Sequence, residues 1–557
     1  RVPDKTPSLK WTNRTYLDFE AITRGHMSVV EGRLRRRRNK RRRRRRHAIV
    51  RPTPPQTPPP ATPPTTTPYV GPPLAEPITL SYPLVLPDGK ARLFLNRLGT
   101  GYTPVSMARM TALGGPDQWF EAQLAPDSVP ESPKAAEIDN WFSHLKHSPA
   151  QIASDHKNSV RKYWEHNFDL ANWMLMRRIY SERIVLEQMA TFLGNILHIS
   201  SQEDSTAPYR FDYEQTIRKH AFGRFEDLLI EASLHPAMRM YLDNRLSVKG
   251  KPNENQGREL LELHSVSRTA AYTEAMVLDS AKILSGYTVD WGKTYNAYYD
   301  PNKHTTGPVS VLGFSDPNGS ADGQNVAIRY LKYLANHPST AQTLARRMAT
   351  FFVSDQPSNQ LINLLAATYS SSGTSLKAML RNIASSPEFL NSEGSKVRSP
   401  AADFIAAARV LGTDAKAPTG DGAYAYSAQW AHGELPLGYW PRPDGAPLRN
   451  DAWASPGRVL RSCGVHQDQA GGYWPTKDVT YRKASSWVPT ASLTFQDLVD
   501  HLCRAWLGRA STPRLLTIAT EVTKIPASRM MTTSNFPDWQ LAYLGQALLS
   551  PPEHMTT

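Results

Sequence analysis

From residue 131 onward, apolar side chains recur three or four positions apart in segment after segment. That spacing admits little but helices packed on helices. ESPKAAEIDNWFSHL (131–145) sets Ser132 ahead of Pro133, a helix-start signature, and then places Ile138, Trp141, Phe142 and Leu145 at helical spacing. RRIYSERIVLEQMATFLGNILHI (177–199) carries Ile184, Leu186, Met189, Phe192, Leu193, Ile196 and Leu197 on one broad stripe and predicts a core helix. Residues 216–244 predict two helices, with Pro236 near the start of the second. Further helices are expected over 257–266, 273–286, 321–338, 339–355, 358–373, 375–390, 400–412, 492–508 and 535–550. The predicted fold class is mainly α: one large helical domain over 78–557, with long irregular inserts at 287–320 and 413–476. LSYPLVLP (80–87) reads as a short strand or an extended arm. No internal repeat is evident, and no run of apolar residues is long enough to cross a membrane as a helix.

The preceding residues differ in kind. The chain carries a net charge of +15, which suggests a nucleic-acid binder until the charge is located. Residues 33–46, RLRRRRNKRRRRRR, supply twelve of those charges without one acid, so the remainder of the chain is nearly neutral. Residues 51–77 hold twelve prolines among threonines, the composition of an extended spacer with no packed core. Residues 1–50 are therefore expected to be a disordered basic tail and 51–77 a linker. The run Arg35–Arg46 could hold an anionic polymer or membrane surface non-specifically and with steep salt dependence. The apolar stretch after it ends at Val50, too soon for an intact export signal. Two cysteines, Cys463 and Cys503, exclude a disulfide framework but leave one pairing open.

Polar residues inside the apolar helices are the places to look for chemistry. Glu259, Glu262 and His264 are candidate catalytic groups. On a regular helix Glu259 and Glu262 share a face, whereas His264 lies about 200° from Glu262. The blander reading makes Arg258, Glu259 and Glu262 ion pairs that fix helix register, with Asn253 or Asn255 capping the helix. Asn195, His198, Asn253, Glu254, Asn255 and Arg258 are candidate ligand contacts. Glu231 and His235, spaced i,i+4, could chelate a metal, as could Asp300 and His304 in the aromatic insert, but no established metal-binding or nucleotide-binding motif is present. Trp440 and Trp474 could stack on a ligand. The alternative is that they fill space beneath loops, with their indole N–H groups bonded to carbonyls.

One string in this region is specific. PNENQGRELLELHSV (252–266), preceded by IRKHAFGRFEDLL (217–229), resembles the domain of unknown function 1800 family, whose chains carry NEN-x-x-RELLELHT-x-G after IR-x-HA-x-G-x-F-x-DLL. GYTVDW (286–291), VLGFSDPNGSADGQNV (311–326), RRMATFFVSDQP (346–357) and GYWPRPDG (438–445) extend the resemblance over roughly 90–550, and to actinobacterial members in particular. It implies a predominantly helical, bacterial protein, exported or envelope-associated, of no assigned activity. Similar chains read FW-x-NH-x-[HN]-V where this one has FLGNILHI (192–199). Asn195 and His198 fit that pattern, while Leu193 and Ile196 replace its tryptophan and first histidine. Two function classes stay open: a binding or assembly protein of the envelope, and a metal- or carboxylate-dependent enzyme. No cofactor is indicated.

Overall fold

The computed structural model describes residues 82–557, and these lie within one compact unit. The basic tail and the spacer fall outside the described residues. Among the described residues helices dominate: 24 α-helical segments stand against four two-stranded antiparallel ladders, which makes the class mainly α. No described helix is long and apolar enough to cross a membrane. The 82–88 stretch is irregular, and its Leu84 is buried in a core cluster with Trp506 and Leu507.

A recurring device starts these helices. Ser132, Ser148, Ser386, Ser399 and Ser455 each accept a hydrogen bond from a backbone N–H in the first turn, and each is followed by proline at the first helical position. The hydroxyl satisfies an orphan donor, and proline gives up an N–H that had no partner anyway. Much of the proline outside the spacer is thus a helix-start signal.

Four expectations are corrected. The 177–199 segment is not one helix: Tyr163–Tyr180 ends there and Ile184–Ile196 begins. The break is stapled by Glu131, whose carboxylate accepts from the Glu182 N–H at 2.7 Å and from Ser181 Oγ at 3.0 Å. Residues 216–244 contain the end of Ala207–Lys219 and two more helices, Phe225–Leu234 and Pro236–Tyr241. The region 413–476 is not irregular throughout, for it holds Tyr424–Ala431 and the 16-residue helix Pro456–Gly471. The insert at 287–320 folds as two small hairpins, Tyr287–Val289 with Ala297–Tyr299 and Val309–Val311 with Phe314–Asp316.

The largest core cluster gathers helices between residues 91 and 389 around Phe192, Phe225, Tyr330, Phe352 and Tyr369. Ile184–Ile196 buries Val185, Met189, Phe192 and Leu193 in it. The helix thereby presents Asn195, and His198 just beyond it, to the 438–446 loop.

Candidate functional site

Asn195 grips that loop as a peptide group would. Its Nδ2 donates to the Ala446 carbonyl at 2.9 Å, and its Oδ1 accepts from the Ala446 N–H at 2.6 Å. Gly445 makes the contact possible. Its φ is +74°, and a Cβ there would stand 2.2 Å from the Asn195 carbonyl oxygen. His198 Nε2 lies 2.8 Å from the Trp440 carbonyl oxygen, and burial pushes the ring down to about 4. The PRPDG turn is docked on a helix end by these two side chains.

The helix of the specific string packs behind this junction. Asn253 caps it, accepting from the Asn255 N–H at 2.9 Å, and Glu254 and Asn255 are exposed. Gly257 permits close packing: a Cβ would meet the Ala281 nitrogen at 2.8 Å. Arg258 pairs with Glu254 at 3.1 Å and Glu274 at 2.6 Å, so the expected Arg258–Glu262 register pair is absent. After Glu259 the helix widens into a π-helical turn, Leu260–His264. Such turns re-aim side chains and occur often at functional positions. Here the turn buries His264 beside Arg347 and His198, where burial pushes the ring down to about 3. Arg347 donates to the Leu263 carbonyl at 2.6 Å. Glu262 is held by Arg268 and by Tyr272. Glu259 is half-buried, and its carboxyl is raised by burial and by the negative charges of Glu262 and Asp444.

On the other side of Asn195 and His198 lies a cavity of about 250 Å³. Five cationic side chains line it (Arg97, Arg178, Arg210, Lys396 and Arg398) against two carboxyls, Glu214 and Glu434. Three of the cations are occupied: Arg97 by the Phe352, Val353 and Ser392 carbonyls, Lys396 by Asp355, Arg398 by the His554 carbonyl. Arg178 and Arg210 are not. The Nε of each is buried without a hydrogen-bond partner, and the nearby carboxylates Glu187 and Glu214 are engaged by Arg218 at 2.6 and 3.1 Å. The Trp440 indole N–H, expected to reach a carbonyl if the ring were only filler, is likewise buried with no acceptor. Trp474 is 41 % exposed and fills no core. Burial lifts Glu434 to about 7.

The candidate residues therefore divide. Asn195 and His198 line the cavity, while Glu259, Glu262 and His264 stand outside the lining. The suggested metal ligands are engaged elsewhere. Glu231 pairs with Lys219 at 2.7 Å and His220 at 3.0 Å. His235 starts the next helix, its Nδ1 accepting from Ala237 and its Nε2 lying 3.0 Å from Asp212, so the pair shares no helix face. His304 lies between the Ser285 carbonyl and Asn318 Oδ1, at 3.0 and 2.9 Å, and Asp300 closes a turn onto the Asn302 N–H. Among the described residues, one group could hold a metal through three side chains: Asp403, His466 and His554. Cys463 and Cys503 are both free thiols.

Arg347 and Asp444 sit within strings already singled out, so the sequence did signal them. Arg178, Arg210 and Glu434 carry no such mark, because a charged residue looks the same in the sequence whether it meets water or a cavity.

Residues 93–556 match the family model described as "Protein of unknown function (DUF1800)". Neither a curated protein nor a solved structure matches the chain.

Proposed function

The chain belongs to the DUF1800 family of proteins of unknown function, and from that premise we propose that it is a binding protein whose cavity takes a small organic anion, a carboxylate or a phosphate monoester. The observation that carries this reading is the pair Arg178 and Arg210, cavity-lining cations that make no hydrogen bond or ion pair with the described residues. A buried cation left unpaired is costly, and a bound anion would relieve both at once. The unpartnered Trp440 N–H adds a neutral donor, and Trp440 and Trp453, edge to face with ring centroids 6.3 Å apart, supply an apolar wall. At about 250 Å³ the cavity suits only a small ligand. Binding fits better than reaction, since His198 is engaged by a carbonyl and Glu259, Glu262 and His264 lie outside the lining.

Thermal unfolding in the presence of inorganic phosphate, small di- and tricarboxylates and their neutral amides tests the proposal. The anions should raise Tm and the amides should not. Arg210→Met should abolish the response without lowering the Tm of the free protein, because the substitution removes a desolvated, unpaired charge. Absence of any anion response, or a variant that responds like the original, overturns it.

The tail supports a second, separable element. Twelve basic residues on a Pro/Thr spacer suit a tether to an anionic surface, in keeping with an envelope-associated role. Removing residues 1–77 should then release the protein from anionic vesicles at low salt, and unchanged partitioning counts against the tether.

A further inference from the structure

Away from the cavity, three helices bring a second set of polar side chains together. Asp403 lies on Pro400–Leu411, His466 on Pro456–Gly471 and His554 on the short Pro552–Met555 that follows Asp538–Leu549. The last two long helices pack closely because the residues between them are small. A Cβ on Gly545 would stand 2.2 Å from the Ala470 Cβ and 2.9 Å from the His466 carbonyl oxygen. That approach fixes where His466 points and where the chain emerges towards His554.

The three side chains are buried and meet at one atom. His466 Nε2 is 3.1 Å and His554 Nε2 is 3.2 Å from Asp403 Oδ1, and all three ligand atoms lie within 4.8 Å of one another. Metal–ligand bonds of roughly 2.0–2.2 Å at tetrahedral or octahedral angles separate neighbouring ligand atoms by about 3–3.6 Å. The two imidazole-to-carboxylate spacings, 3.1 and 3.2 Å, fall in that range.

The surroundings orient each group as the outer shell of a metal site would. His466 Nδ1 is 3.0 Å from Ser550 Oγ, which turns Nε2 inward. Arg458 sits 3.3 Å from the other carboxylate oxygen of Asp403 and donates to the Arg398 carbonyl at 2.9 Å, leaving Oδ1 as a single ligand atom. Arg398 donates to the His554 carbonyl at 2.7 Å and so pins the terminal turn. One atom is unaccounted for. His554 Nε2 is buried and, despite its approach to Asp403, has no hydrogen bond of acceptable geometry. A hydrogen-bonded hub built for its own sake would satisfy that nitrogen.

We propose that Asp403, His466 and His554 bind a divalent first-row transition metal ion. Two imidazoles and one monodentate carboxylate suit zinc, iron(II) or manganese(II), and exclude calcium and magnesium, which prefer all-oxygen sites. The site is distinct from the anion cavity, so either can fail without the other.

The test uses the full chain expressed without an affinity tag and purified without chelator. Elemental analysis should find about one equivalent of transition metal, or the stripped protein should take up about one equivalent of zinc. Asp403→Asn and His466→Gln should each lower uptake at least tenfold. If those variants fail to fold, cobalt(II) added to the stripped original protein gives a second readout: visible d–d bands of a nitrogen-and-oxygen-ligated ion, together with a Tm that falls on stripping and returns on reloading. Less than a tenth of an equivalent both as isolated and after reconstitution overturns the proposal and leaves a purely hydrogen-bonded cluster. Folded variants that keep the metal overturn it too.

Discussion

At the scale of single residues, what matters is which side chains are fully committed and which are not. Asn195 was legible as a motif residue, yet its two bonds to Ala446 make it an anchor for the loop. Gly445→Ala tests that anchor. The new Cβ would have to displace the Asn195 carbonyl, and alanine resists a φ of +74°, so we expect a loss of at least about 1–3 kcal/mol in urea unfolding. Gly457→Ala, at a helical position where a Cβ meets nothing within 4 Å, is the control and should be neutral or stabilise by up to about 1 kcal/mol. Glu434 behaves oppositely to most carboxyls. Its value is raised to about 7, so its contribution to stability is complete below the ordinary carboxyl range and is lost as pH rises through 7. Glu434→Gln should match the original protein near pH 5 and exceed it near pH 8, by no more than about 3 kcal/mol. A constant difference across that range would refute the assignment. Arg178 and Arg210 were invisible beforehand because burial of a helical arginine depends on what packs over it, and that information is not local.

At the scale of elements, apolar periodicity located many of the helices but not Tyr163–Tyr180, Ala207–Lys219, Pro456–Gly471 or Pro513–Thr523, and the miss at Pro456–Gly471 has a physical cause. Pro456–Gly471 buries Ser462, Val465, His466, Gln469 and Ala470, a face too polar and too small to register as an apolar stripe. The better signal there is Ser455–Pro456, the same start seen at four other helices. Ser455 Oγ accepts from the Arg458 N–H at 3.3 Å, so Ser455→Ala should cost about 1 kcal/mol, read as a shift in urea midpoint at unchanged slope. Ser455→Asp should recover most of it, and equal losses in both variants would show that the cap is not what holds this end. The break at Ser181 escaped notice for a related reason: Glu131, about fifty residues earlier, ends one helix and starts the next. The π turn at Leu260–His264 was equally hidden, and it buries His264 beside Arg347, a contact between residues far apart in the sequence.

At the scale of the whole molecule, the helical class followed from a pattern repeated along the chain, whereas the distribution of buried titratable groups emerges only on packing. Among the described residues burial holds eight histidines low, five of them furthest: His264 at about 3, and His166, His198, His432 and His554 at about 4. Each of these five is neutral in the folded state at pH 5, while its unfolded counterpart, near 6.5, has taken up a proton. The stability these rings secure is therefore present above pH 6.5 and lost as pH falls towards 4. Glu434 opposes the trend by a single proton over the same range. The net expectation is steep acid unfolding between pH 6 and 4, with several protons taken up together. His432 offers a clean check, because both ring nitrogens are buried without partners and the ring stands edge-on to Phe404 at 6.2 Å. His432→Phe should leave stability at pH 7.5 within about 1.5 kcal/mol, as a shape-conserving change. Between pH 6 and 4.5 it should flatten the loss by about 1.4 kcal/mol per pH unit, the value of one proton. Parallel curves for the two proteins across that interval would mean that His432 titrates alike in the folded and unfolded chains, and the burial argument would fail at this residue.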